Sequence, residues 1–233
     1  MKTQRLIDGF PADQPPAGPA EARDERIRLA LAALAAGGAV LVLDDEDRED
    51  EGDIVFAAEL STPELMGWTI RYSSGVICIP MPEPLADRLG LPPMVADNQD
   101  AKGTAYTVSC DAVSVLRTGI SATDRSITAR VLADPASTVS DLSRPGHIFP
   151  LRAVEGCVRQ RRGHTEAAVE LVRLAGCAPV AVIAELVRDD GEMMRRAEIR
   201  EFGIAQGCPV LSIAELVDYL DRRQEQELME VLR

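Results

Sequence analysis

The sequence predicts an α+β (mixed α/β) fold: a single domain whose mixed β-sheet is covered by helices in a layered α-β-α sandwich. Three observations predict it. The chain has 233 residues with 46% hydrophobic and 27% charged side chains, a balance that suits one large buried core rather than disorder. Short, continuously apolar runs interleave with segments of helical spacing along the whole length. The stretches between them are too irregular for simple βαβ winding, so the sheet is expected to be mixed.

The elements follow in order. Residues 1–20 are rich in Pro, Gly and Asp and read as a flexible arm ahead of a domain over 21–222. Ile27, Leu29, Leu31 and Leu34 among many alanines predict a helix from Ala20 to Ala36, stopped by Gly37-Gly38. Ala39–Leu43 is a strand, Asp44–Asp53 an acidic loop and Ile54–Ala58 a second strand. Ser61-Thr62-Pro63-Glu64 reads as a capping box that opens a helix towards Arg71. Val76–Pro80 and Ala105–Cys110 are further strands, and Thr123–Ala133 a helix. Ser143–Arg162, rich in Pro, Gly and Arg, reads as ordered loops around a short strand. Thr165–Ala175 is helical and ends at Gly176, and Val180–Leu186 is a strand. The final helix begins at Ser212, with Glu215 completing a second capping box. It is expected to trail off after Tyr219, leaving 223–233 as a charged tail.

Composition excludes several functions. Lys plus Arg total 25 against 38 Asp plus Glu, and the net charge of -13 repels a phosphate backbone, so nucleic acid is not an expected partner. Three Tyr, four Phe and one Trp leave little for a base-stacking platform. The apolar run Leu29–Leu43 is broken by Gly37-Gly38 and falls short of the roughly 20 residues that cross a bilayer. The N-terminus has no signal-peptide core. A cytoplasmic protein with no membrane partner is expected. The five cysteines are scattered with no CxxC pair, which argues against a disulfide framework or a structural zinc site.

Four places could carry chemistry. Asp44–Asp53 holds eight acids in ten residues, with Arg48 and Gly52 between two apolar strands. It is either a solvated loop or a site for a hard cation such as Mg²⁺ or Mn²⁺. The two histidines sit in parallel settings, Arg144-Pro145-Gly146-His147 and Arg161-Arg162-Gly163-His164-Thr165-Glu166. Between Arg144 and His164 five arginines face one acid, Glu155. That patch either neutralises the acidic loop or forms an anion pocket, where guanidinium groups and backbone N–H groups at a helix start hold a phosphate. Thr118-Gly119-Ile120-Ser121 is a hydroxyl-rich turn, by itself a capped helix start as readily as a ligand loop. Glu185 ends the apolar run Val180–Ala184, as a structural ion pair or a general acid/base. Cys78 reads as a core thiol first.

Taken together, Asp47-Arg48-Glu49-Asp50-Glu51-Gly52-Asp53, Arg144 to Leu151 and Arg161 to Ala167 resemble the signatures of 3,4-dihydroxy-2-butanone 4-phosphate synthase. The likeness runs from about Arg28 to Tyr219 and includes Ser74 to Cys78, Thr118 to Ser121 and Leu174 to Gly176. It implies conversion of ribulose 5-phosphate into 3,4-dihydroxy-2-butanone 4-phosphate and formate, in riboflavin biosynthesis. It also implies Mg²⁺ or Mn²⁺, two per site, in a homodimer with sites at the subunit interface. By motif, Glu49 and His164 resemble the metal ligands, and Arg48 and Asp53 resemble substrate contacts. Arg161, Arg162, Gly163, His164 and Thr165 resemble the phosphate turn, with Thr118 as a helper. His147 and Glu185 match catalytic positions, joined by Glu51 and Cys78 as further acid/base members; Glu49 and Glu185 also face substrate. Three departures stand out: Asp50 where the family commonly has Asn, Tyr72 where a His is frequent, and Cys157 in place of a second Gly. Fused versions carry a GTP cyclohydrolase domain with a cysteine zinc cluster. That cluster is missing here, so the resemblance points to the monofunctional form.

Overall fold

The computed structural model describes residues 20–231. The predicted arm, apart from Ala20, lies outside them. The helices are α1 (Ala20–Ala35), α2 (Pro63–Tyr72), α3 (Glu83–Arg88), α4 (Ala122–Ala133), α5 (Cys157–Gln160), α6 (His164–Leu174), α7 (Arg196–Gln206) and α8 (Ile213–Val231). The strands are β1 (Val40–Leu43), β2 (Gly52–Ala57), β3 (Cys78–Pro82), β4 (Cys110–Ala112), β5 (Leu142–Ala153), β6 (Ala181–Glu185) and β7 (Val210–Ser212).

The described strands form one sheet in the order β4-β5-β3-β6-β2-β1-β7. β1 with β7 and β3 with β5 run parallel, and the remaining pairs are antiparallel. Every residue of β1 and β2 is buried, which requires cover on both faces because side chains alternate between them. The mixed sheet between helical layers is therefore as expected. The layers are visible at two consecutive residues of β2. Asp53 faces His164 on α6, while a Cβ on Gly52 would meet Ile199 Cδ1 of α7 at 2.6 Å. α6 and α7 thus lie on opposite faces, with the acidic turn between β1 and β2 projecting from the same end of the sheet.

Four expectations are corrected. Ser143–Arg162 is not mainly loop, because β5 runs for 12 residues. Its pairing with β4 passes from Asp111↔Ser143 to Cys110↔Ile148, so Arg144–His147 bulges out of the ladder and hides the strand's period. Ala105–Cys110 is not a continuous strand: only Cys110 joins β4, with isolated bridges at Tyr106 and Thr107. Thr107 donates to the Pro150 carbonyl, and Pro150 has no N–H to return. The first helix cap is Thr62, not Ser61; its hydroxyl accepts from the Leu65 N–H at 3.1 Å. Finally, α8 continues past Tyr219 to Val231, with no Gly or Pro to stop it and an Arg223–Glu227 pair one turn apart. The capping box of Ser212 and Glu215 is present, with the Ser212 N–H donating to Glu215 and the Glu215 N–H to the Ser212 hydroxyl.

Candidate active site

The turn between β1 and β2 folds on its own side chains. Asp44, fully buried, accepts the Glu51 N–H on Oδ1 at 3.0 Å and Arg48 on Oδ2 at 2.9 Å. Arg48 also donates to Glu49 at 2.6 Å, placing its positive charge between the two carboxylates. His164, the first residue of α6, reaches this turn from the sheet's face. Asp44, Glu49 and His164 each offer a donor atom within 4.8 Å of the others. Asp44 was not singled out from the sequence. Its position directly after the apolar strand, which anchors it against the core, was the available signal.

The donor set suits a hard divalent cation. Oxygen and imidazole donors fit Mg²⁺ or Mn²⁺, and the imidazole is poised by its surroundings. Its Nε2 lies 3.1 Å from the Val42 carbonyl, which fixes the ring and leaves Nδ1 for a ligand. Burial lowers the His164 pKa, with nearby Asp44 opposing it, so the ring is held neutral as a ligand must be. Asp53 lies 3.7 Å from Nδ1, yet this is no ion pair. Burial, followed by the charges of Glu185 and Glu49, raises the Asp53 pKa well above the usual carboxylate range. Its Oδ1 is buried with no hydrogen-bond partner, an orphan that a cation or a sugar hydroxyl would satisfy.

Glu185 is the cross-strand partner of Asp53 and accepts the Ser74 hydroxyl at 2.6 Å. Glu51, half-buried, has its pKa raised by burial and by Glu49 and Glu185. The charge of Glu185 thus adds to burial at both Asp53 and Glu51, and both carboxyls hold a proton more readily than in water. Cys78 is buried on β3, and burial with the Glu185 charge pushes its thiol far up. It hydrogen-bonds to the Tyr106 hydroxyl, itself pushed up by burial and by Cys78. Cys78 is a neutral thiol here, not a thiolate.

The arginine turn leads into α6. Gly163 is the N-cap, Thr165 is buried, and Arg162 is exposed. Arg161 is tied to Glu166 at 2.6 Å and donates to the Lys102 carbonyl at 3.1 Å. Lys102 in turn donates to the Arg48 carbonyl at 2.6 Å, so one residue, by its side chain and its carbonyl, bridges the acidic turn and the arginine turn. Sequence reasoning missed Lys102, although lysine occurs only twice in the chain, at Lys2 and Lys102.

His147 is placed elsewhere. It sits in the β5 bulge, with Nδ1 2.7 Å from Asp111 and its N–H donating to the same carboxylate at 2.9 Å. The Thr118 turn lies against it: a Cβ on Gly119, whose φ is +95°, would fall 2.8 Å from His147 Nδ1. His147 and the Thr118–Ser121 turn thus form a second cluster around Asp111.

The profile of the 3,4-dihydroxy-2-butanone 4-phosphate synthase family matches residues 28–219. The chain belongs to that family. A riboflavin biosynthesis protein RibBA of Nocardia farcinica is 52% identical over 206 residues, covering 88% of this chain and 50% of that protein. The chain thus spans about half the length of the curated relatives it matches. A crystal structure of a 3,4-dihydroxy-2-butanone 4-phosphate synthase in complex with two magnesium ions superposes with a TM-score of 0.82 at 45% identity, covering 85% of this chain and 97% of that one. The synthase of Candida albicans superposes at 0.78 with 52% identity, covering 83% and 96%.

The three departures from the synthase pattern now have settings. Asp50 has φ +53°, a left-handed backbone that Asn and Asp tolerate best, so the turn keeps its shape. Tyr72 packs at 5.6 Å and 5.1 Å from the Trp68 and Phe202 rings, a packing role. Cys157 also has a positive φ, +53°, directly after Gly156 at +83°, where glycine would be unstrained.

Proposed function

We propose that this chain is a carbon–carbon lyase that converts D-ribulose 5-phosphate into 3,4-dihydroxy-2-butanone 4-phosphate and formate in riboflavin biosynthesis. The convergence of Asp44, Glu49 and His164 within 4.8 Å, beside carboxyls of raised pKa, carries the reading. Glu49 and His164, with Asp44, would hold Mg²⁺ or Mn²⁺, two per site. When bound, the cation polarises adjacent sugar oxygens and stabilises charge that develops on them.

The chain's own residues do the rest. Amides at the start of α6, from Gly163 to Thr165, hold the distal phosphate with Arg161 and Arg162, fixing the pose for repeated proton transfers. Arg48 and Asp53 contact sugar hydroxyls. Glu51, its pKa raised by burial, takes and returns a proton. Glu185, oriented by Ser74, carries a second transfer, and the neutral Cys78 thiol donates a hydrogen bond. Asp111 holds Nδ1 of His147, leaving Nε2 to move a proton.

The second cluster joins the first in a homodimer. Val113, Leu116 and Ile120, around the Thr118 turn beside His147, are exposed apolar side chains. A second copy covers them and brings His147 and Thr118 to its neighbour's Glu49 and His164. The cysteines are free thiols, which supports the cytoplasm, and no described helix is long and apolar enough to cross a membrane. The catalytic domain begins at 21 and runs to 222, within α8, whose last turns extend beyond it.

Ribulose 5-phosphate with Mg²⁺, followed by carbon NMR, tests the reading. Formate is expected, and loss of substrate without formate would point instead to an isomerase or aldolase. Glu185→Gln is expected to bind substrate nearly as the parent does and to release no formate. Equal formate from the two proteins removes Glu185 from the mechanism.

A further inference from the structure

The acidic turn is gripped from outside by one helix. Arg195, the N-cap of α7, donates from Nη1 to the Glu49 carbonyl at 3.1 Å and to the Asp50 carbonyl at 2.9 Å. Its neighbour Arg196 donates from Nη2 to the Asp44 carbonyl at 2.6 Å, and its Nε lies 3.3 Å from Glu46. Two consecutive arginines thus hold the main chain of the two carboxylate ligands, one each. One turn further along α7, Ile199 fills the space left by the missing side chain of Gly52.

This arrangement is more specific than charge neutralisation. In a turn with eight acids in ten residues, guanidinium groups would be expected on carboxylates. Arg48 does that from inside the turn. Arg195 instead takes the two carbonyls on either side of the Asp50 Cα, whose backbone is in the left-handed region. Bonds to carbonyls fix the backbone without occupying the Glu49 carboxylate, which Arg48 holds from inside the turn and which faces His164.

We propose that Arg195 and Arg196 are positioning residues for the metal site, holding the backbone at Glu49 and Asp44 so that both carboxylates meet His164. The proposal rests on the metal reading above. It makes a prediction of unusual sign. Removing a positive charge beside a dication site strengthens cation binding by Coulomb's law alone. Losing a positioning residue weakens it.

The experiment is Mn²⁺ titration followed by electron paramagnetic resonance, on the parent, Arg195→Ala, Arg195→Gln and Arg196→Ala, with His164→Ala as the ligand control. Arg195 is exposed, so its variants are expected to melt close to the parent in EDTA. Each arginine variant is expected to bind Mn²⁺ about tenfold more weakly, the scale typical of lost outer-sphere support. Guanidinium ion is expected to restore part of the affinity of Arg195→Ala. Unchanged or tighter Mn²⁺ binding by the folded Arg195 variants overturns the proposal. A parent that binds no Mn²⁺, or binds it equally well as His164→Ala, overturns the metal reading itself and the proposal with it.

Discussion

Asp53 is the residue at which folding and chemistry conflict most plainly. Its carboxyl is buried, one oxygen lacks a partner, and Glu185 stands across the ladder. Burial raises its folded pKa, so the folded chain keeps a proton that the unfolded chain releases above about pH 4. Its contribution to stability is therefore full in acid and falls as pH rises towards the folded pKa. In EDTA, Asp53→Asn is expected to unfold at a higher urea concentration than the parent at pH 8, with the gap narrowing at pH 4.5. A gap that ignores pH would show that the carboxyl is not held protonated. Asp53, Glu49 and His164 were legible in the sequence because they stand in long, ordered motifs. Asp44 was not, because one carboxylate among eight is singled out only by being folded inward.

Elements show the same division. Gly52 has no positive φ, and what it avoids is contact: a Cβ there would lie 2.6 Å from Ile199 Cδ1 and 3.2 Å from Leu43 Cδ2. Gly52→Ala is expected to cost about 1–3 kcal/mol of stability from overpacking. Ile199→Val deletes the clashing methyl, so the double variant is expected to recover most of that loss. Additive losses measured by urea unfolding would mean that the two residues do not share this space. Helices α1, α4 and α6 were legible in the chain from the glycines that follow α1 and α6 and from the hydroxyl turn whose Ser121 caps α4. β5 was not, because its bulge at Arg144–His147 breaks the period that pairing with β4 and β3 restores. α7 passed unread for a related reason. Its cap is an arginine, and its partner is a turn some 150 residues earlier in the chain.

At the scale of the molecule, the two clusters are the decisive feature. If a second copy brings His147 to the carboxylates, then His147→Ala and Glu49→Ala subunits should complement each other. Each is expected to be inactive alone. Mixed after co-expression, they form hybrids with one intact site, giving about a quarter of the parent's formate yield for random pairing in a two-fold dimer. No activity in the mixture, with dimers confirmed by sedimentation, would place the whole site within one chain. By itself the sequence determined the layered α+β class, the family, and the acidic and arginine turns that carry its motifs, since these rest on local period and on motifs contiguous in the chain. Only the tertiary structure decided that Asp44 lies with Glu49 and His164, that Lys102 ties the two turns together, that α7 grips the backbone of the acidic turn and that Asp111 holds His147. Those facts depend on contacts between residues far apart in the chain, which a linear pattern does not record.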